Sequence, residues 1–375
     1  MENLSIHSAR IFEEFCELVA IDSVSFHERE MADVLKEKLT SLGFAVSEDS
    51  VGELYGGNAG NIYGFLKGNL PGRPILLCAH MDTVKPGIGK KAVPKPDGQI
   101  TSGGDTVLGA DDVCGIVEIL EAVRVLQEQK LPHRDIEVLF PIAEELFIKG
   151  TAQMNFDKIQ AREAYVLDLS GAVGTAALKA PSLITFSVTV DGKAAHAGFN
   201  PEEGIHAIAL MSRALSHLPQ GRVDADTTFN VGTIAGGTLV NIVPERCTCC
   251  GEIRSYSHER ALEVLEEIKA LFRRQLEGSG ADFQLEYQVE LQAYQTPEDA
   301  PVVQRFVRAC QKLGLPGTLT KTFGGSDNNS FALHGIQGIV LSCGMYNCHS
   351  TKEYTLREDL QNGAALVAAL LSLSL

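Results

Sequence analysis

The fold class predicted for this chain is α/β: a mostly parallel central sheet flanked by helices, interrupted by an inserted α+β domain of split βαβ, ferredoxin-like form. Three observations predict it. Helix-period segments alternate with short apolar strand-like runs through the first 180 residues. The order then changes to β-α-β-β-α-β over 181–293. Helix–strand alternation resumes over 294–375, so the outer domain is discontinuous in sequence. A chain of 375 residues exceeds one ordinary core, which agrees with two domains.

Each element follows from its pattern. Ile11, Phe12, Phe15, Leu18 and Val19 recur at helical spacing over 8–20, and Met31, Val34, Leu35, Leu39 and Leu42 do so over 28–42, ending at Gly43. Short apolar runs predict strands at 61–66, 75–80, 136–142 and 165–169. Between them Val113, Ile116, Val117, Leu120 and Val123 mark a helix over about 112–129. Lys85–Gly104 is rich in Pro, Gly and Lys and shows no element. In the insert, strands are expected at 183–190, 227–234, 245–254 and 281–291, with helices at 203–218 and 257–275. The last part reads as helix 299–312, strand 318–323, helix 326–334, strand 338–342 and helix 356–372.

Composition narrows the function classes. A formal charge of −16 opposes nucleic-acid binding, which needs basic patches. No apolar run reaches the ~18 residues of a membrane span, and Met1-Glu2-Asn3-Leu4 opens no basic-then-apolar leader, so a cytoplasmic location is expected. Nine scattered cysteines, an odd number, do not make a disulfide framework. The Cys247-Thr248-Cys249-Cys250 cluster lacks paired C-x-x-C spacing and reads as strand packing.

The chemistry-bearing residues lie at element ends. The run Ile75–Ala79 leads into His80-Met81-Asp82, and in extended chain residues two apart share a side, so Asp82 can lie beside the His80 ring. Read alone, this is also how a strand enters a polar turn. Asp111-Asp112 opens a helix and suits an N-cap equally well. Glu144-Glu145 follows an apolar strand, where paired carboxylates need either solvent or a cation. Asp168 ends the strand Tyr165-Val166-Leu167, and His349 lies shortly after the strand Gly338–Ser342. In a parallel sheet such points gather along one edge. Imidazole and carboxylate suit zinc. Two divalent cations carry +4, which three carboxylates and one hydroxide neutralise. That count fits His80, Asp111, Glu145, Asp168 and His349 as ligands with Asp111 bridging, and leaves Glu144 as proton carrier.

At these residues the sequence resembles the co-catalytic zinc peptidase family that contains peptidase T, carboxypeptidase G and the acetylornithine and succinyl-diaminopimelate deacylases. The likeness rests on His80-Met81-Asp82, Gly109-Ala110-Asp111-Asp112, Glu144-Glu145, Asp168 and Asn347-Cys348-His349, and it spans nearly the whole chain. It implies that His80, Asp111 and Asp168 hold one metal, while Asp111, Glu145 and His349 hold the other. Asp82 would orient His80, Glu144 would be the general base, and the Asp111–Asp112 peptide bond would be cis. The catalytic domain would comprise 1–180 and 294–375, with 181–293 as a lid and dimerisation domain.

Within the family, Leu108-Gly109-Ala110-Asp111-Asp112, Gly324-Gly325-Ser326-Asp327 and Tyr346-Asn347-Cys348-His349-Ser350 resemble peptidase T and its tripeptidase-like relatives. His196, in Ala195-His196-Ala197-Gly198, matches the histidine that polarises the scissile carbonyl, often from a partner subunit. Asn241, Arg254, Gly325 and Ser326 match substrate-binding positions. Val113, Cys114 and Phe147 depart from the family pattern.

The resemblance implies a dinuclear metallopeptidase, of tripeptide aminopeptidase type, that cleaves small peptides with a metal-bridged hydroxide as nucleophile. Two Zn²⁺ per subunit are expected, with Co²⁺ or Mn²⁺ as substitutes, and a homodimer through the inserted domain. The alternatives are an N-acyl amino acid deacylase or carboxypeptidase of the same family, or a metal- and peptide-binding protein without catalysis.

Overall fold

A computed structural model of the chain describes residues 4–373, which divide into two compact units. The larger runs to Lys179 and resumes over Gln295–Thr322 and from Ser326 onward. The smaller comprises Ala180–Tyr294 with Phe323–Gly325. Among the described residues no helix is long and apolar enough to cross a membrane.

The larger unit is built on an eight-stranded sheet. Its spatial order is Ala45–Glu48, Ile62–Leu66, Ile136–Phe140, Ile75–Cys78, Glu163–Leu169, Gln337–Ser342, Thr175–Ala177 and Thr318–Thr320. The four strands from Ile136–Phe140 to Gln337–Ser342 run parallel, with antiparallel partners outside them. Ile75–Cys78 and Ile136–Phe140 are buried at every position, as parallel strands covered on both faces must be. Successive side chains serve opposite faces. Ile75 and Leu77 join the core under the helices Ser8–Val19, Ala110–Glu128, Pro301–Leu313 and Arg357–Ser372. Leu76 and Cys78 join the core containing Phe331 of the helix Asp327–Leu333. Truncating Leu77 to Ala would cost about 2–5 kcal/mol, the usual range for a filled core position.

The smaller unit holds a five-stranded antiparallel sheet in the order Gly221–Asp224, Thr227–Gly236, Arg246–Ser255, Ser182–Asp191, Asp282–Leu291. Apart from the edge strand, this is the split βαβ order. In Ser182–Asp191 every second residue from Ile184 onward is buried, and Ile184, Phe186, Val188 and Val190 pack with Phe272 and Met211 of the helices His258–Leu276 and Ala207–Leu215. Cys247 and Cys249 point into this core, and Cys250 is exposed on the same strand.

Three local expectations are corrected. Lys85–Gly104 is not featureless: Ala92–Pro94 and Gln99–Ser102 form a hairpin closed at Lys95–Gly98, where Lys95 N–H donates to the Gln99 carbonyl. Pro96-Asp97-Gly98 supplies the turn. The strands escaped the period-2 pattern because they are short, and Gln99–Ser102 finds its other partner, Tyr354–Leu356, about 250 residues on. The helix expected over 203–218 is only Ala207–Leu215, because Ile205 pairs with Lys193 and His206 caps the first turn. The edge strand Gly221–Asp224 was not anticipated; its pattern is polar and mostly exposed.

Candidate dinuclear metal centre

Every candidate ligand lies in the larger unit at or near the end of an element. Ile75–Cys78 pairs in register with Ile136–Phe140 on one side and Glu163–Leu169 on the other, Cys78 lying opposite Leu139 and Val166. The three strands therefore end together, and His80, Glu144-Glu145 and Asp168 emerge side by side. Asp111 lies in the first turn of Ala110–Glu128, and His349 follows Met345–Tyr346. The Asp111–Asp112 peptide is cis.

These five residues meet in two clusters, His80 with Asp111 and Asp168, and Asp111 with Glu145 and His349. Asp111 belongs to both. Its Oδ1 is 3.0 Å from His80 Nε2 and its Oδ2 is 3.2 Å from His349 Nε2. His349 Nε2 also lies 3.0 Å from Glu145 Oε2, and His80 Nε2 lies 3.9 Å from Asp168 Oδ1.

The donor set fits two divalent cations. Each cluster offers one imidazole nitrogen and two carboxylates. Glu145 Oε1 is buried with no hydrogen-bond partner among the described residues, a cost that a ligand would remove. Burial and the neighbouring Asp111 push Asp168 well above the usual carboxylate range; burial and Asp168 do the same to Glu144. Burial would raise Asp111 too, but hydrogen bonds from His349 and His80 hold it low. His349 is pushed up to about 10 by Asp111 and Glu145. So much negative charge out of water is stable only beside positive charge.

Around the clusters, side chains hold the backbone. His80 Nδ1 lies 2.9 Å from the Asp82 carbonyl and 3.4 Å from Asp82 Oδ1. The Asp82 carboxylate does more than face the ring, because it accepts the N–H groups of Glu144 (2.9 Å) and Glu145 (3.3 Å) and the Ser25 hydroxyl (2.7 Å). Asp112 accepts the His80 N–H at 3.1 Å. Ala143, Phe147 and Ile148 take left-handed backbone at φ 47°, 65° and 49°. Such residues cost roughly 1–3 kcal/mol each and persist only where their surroundings hold them.

Two buried glutamates escaped sequence reasoning. Glu28 accepts the Ala143 N–H at 3.0 Å and Glu353 accepts those of Gly109 and Asp111. Only the place of Glu353, four residues past His349, could have drawn attention to it. Cys348 is not in either cluster; its Sγ lies 3.3 Å from Ser170 Oγ.

The remaining candidates lie at the edge of the larger unit or in the smaller one. Ser326 is buried at the start of Asp327–Leu333, its N–H donating to Asn329 Oδ1. Gly325 belongs to the smaller unit, where any Cβ would strike Leu291. His196 and Asn241 are exposed there on adjoining segments, with Ala197 N–H donating to the Asn241 carbonyl. His196 Nδ1 accepts the N–H groups of Gly198 and Phe199, both at 3.1 Å. Arg254 is engaged: it forks onto Glu252 at 2.8 and 3.1 Å and donates to the Phe323 carbonyl.

A mostly parallel sheet whose strand ends carry two histidine–carboxylate clusters joined by one aspartate defines a metal-dependent hydrolase. Comparison with known proteins narrows the class. Residues 179–279 match the family model of the peptidase dimerisation domain, and residues 61–198 match that of peptidase family M28. The chain is 37% identical over 366 residues to the YqjE protein of Bacillus subtilis (strain 168), covering 98% of each. It is 36% identical to aminopeptidase PepT from Bacillus cereus ATCC 10987, with a TM-score of 0.92 over 99% of both chains. A tripeptidase from Staphylococcus aureus subsp. aureus Mu50 superposes with a TM-score of 0.95 at 31% identity over 98% of both. The chain belongs to the peptidase T-like M20 metallopeptidases.

Proposed function

We propose that this metallopeptidase is an aminopeptidase acting on small peptides, tripeptides above all, with two Zn²⁺ held by His80, Asp111 and Asp168 and by Asp111, Glu145 and His349. The observation that carries the reading is Asp111, whose two oxygens face different clusters, with Glu144 beside them and outside both. The similarity to PepT and to a tripeptidase along almost the full chain supports the substrate class.

When bound, the cations supply Lewis acidity that acidifies water and polarises the scissile carbonyl. Glu144 takes the proton of the attacking water and passes it to the leaving amine. Asp82 anchors the main chain of Glu144 and Glu145 and so aims both side chains. Since His196 Nδ1 accepts two N–H groups, the neutral ring carries its proton on Nε2 and can donate it to a developing oxyanion. Asn241 lies beside it and contributes to substrate binding. Arg254 would grip a peptide carboxylate by exchanging Glu252 for it. The match of the inserted unit to a dimerisation domain supports a homodimer paired through that unit.

The test is an assay of purified protein with zinc or cobalt against tripeptides, dipeptides and N-acetylated amino acids. Unblocked tripeptides should turn over fastest. Turnover of N-acyl amino acids alone would replace the aminopeptidase reading with a deacylase one. Glu144→Gln should retain both metals and lose about 10²–10⁴-fold in kcat. Equal activity in that variant would remove Glu144 from its role.

A further inference from the structure

Asp111 can face two clusters only if its backbone is set at one rotation, and a single distant side chain touches that backbone on both sides. Glu353 is 1% exposed, accepts the Gly109 N–H through Oε2 at 2.7 Å and accepts the Asp111 N–H through Oε1 at 2.9 Å. Both donors belong to the turn that opens Ala110–Glu128, where N–H groups lack an intrahelical acceptor. An exposed Ser or Asp at the cap would satisfy them at little cost. Here a buried carboxyl group meets them instead, from more than 240 residues away.

The opposite side of the turn is also walled. Gly109 has φ 81°, and a Cβ there would come within 2.9 Å of Cε of the buried Lys90, whose Nζ donates to the carbonyls of Ile21 and Gly87. Glu353 also lies four residues beyond His349, whose ring reaches Asp111 Oδ2. One short segment therefore holds Asp111 twice, by its carboxylate and by its amide.

We infer that Glu353 is a positioning residue for the metal centre: by clamping the amides of Gly109 and Asp111, it sets the rotation that lets Asp111 serve both clusters. The inference rests on the ligand assignment proposed above. Glu353 touches neither substrate nor, on this geometry, a cation.

Glu353→Gln keeps the shape but turns an N–H₂ toward a backbone donor. Metal-free protein titrated with Zn²⁺ against a chromophoric chelator should then show affinity for both cations lowered about 10–100-fold, the usual effect of losing a group that orients a ligand. The visible absorption of the Co²⁺-loaded protein should shift, and kcat at saturating metal should fall while KM changes less than about twofold. Loss of melting temperature without loss of metal affinity would mark a merely structural role and overturn the inference. So would wild-type affinity with an unchanged cobalt spectrum. If Glu353→Gln does not fold, Glu353→Asp must give a smaller drop in the same direction, and unchanged affinity there overturns it equally. Wild-type protein that binds fewer than two cations would instead sink the ligand assignment, and this inference with it.

Discussion

The two clusters share Asp111 but are built differently. His80 has a side chain only 1% exposed, contacts at both ring nitrogens and a main chain held by Asp112. It comes straight from a strand buried on every residue. His349 sits on a turn at φ 61°, and its side chain is 55% exposed. One half of the centre is set by the sheet, and the other is completed by a surface turn. The first should be rigid and tight, the second weaker and exchangeable, because the cost of organising a ligand falls where the fold has already met it.

The sharpest way to break that contrast is at the shared residue. Asp111→Asn should lower metal content from two cations per chain to fewer than one and reduce turnover to background, as read by elemental analysis and peptide assay. Retention of one tight cation would show that the clusters are independent. A smaller and asymmetric effect is expected of the histidines. His80→Ala leaves Asp82, Asp111 and Asp168 buried beside a cavity and should destabilise the metal-free protein by about 3–5 kcal/mol. His349→Ala should cost less than His80→Ala, because its ring is half in solvent although it pairs with Asp111 and Glu145, and should release one cation only. Equal losses in chemical denaturation would erase the distinction between a preformed and a completed half.

The smallest expected effect concerns the turn that carries Glu145. Glu28 is pushed up to about 7 from an ordinary 4.5 by burial and by the nearby Asp82. A carboxyl raised in the folded state binds more protons folded than unfolded. Its contribution is therefore fully present below pH 4.5 and is lost as pH rises through about 7. In metal-free protein, Glu28→Gln should flatten the decline of stability across that window, measured by urea denaturation at several pH values. An unchanged slope would remove Glu28 from the account.

The ligand candidates were legible because four stand beyond an apolar strand-like run and Asp111 opens a helix, and a parallel sheet gathers such ends. The helix Ala110–Glu128 announced itself through Val113, Ile116, Val117, Leu120 and Val123 at helical spacing, and the strand Ile136–Phe140 through a short apolar run. The hairpin at Ala92–Ser102 did not, because strands of three and four residues carry no periodicity and depend on a distant partner. Glu28 lies in the polar run His27-Glu28-Arg29-Glu30 and nothing there distinguishes it. It is buried because it meets Ala143, 115 residues away.

The sequence by itself determined the order of the elements, the inserted unit and the residue types placed at the strand ends. These depend on local periodicity and on chemistry that stays attached to its position. Only the tertiary structure decided which carboxylates face the cluster atoms and which hold backbone amides, as Asp82, Glu28 and Glu353 do. Side chains of one type carry no mark of their partner, and that partner is chosen by contacts that exist only once the chain has closed.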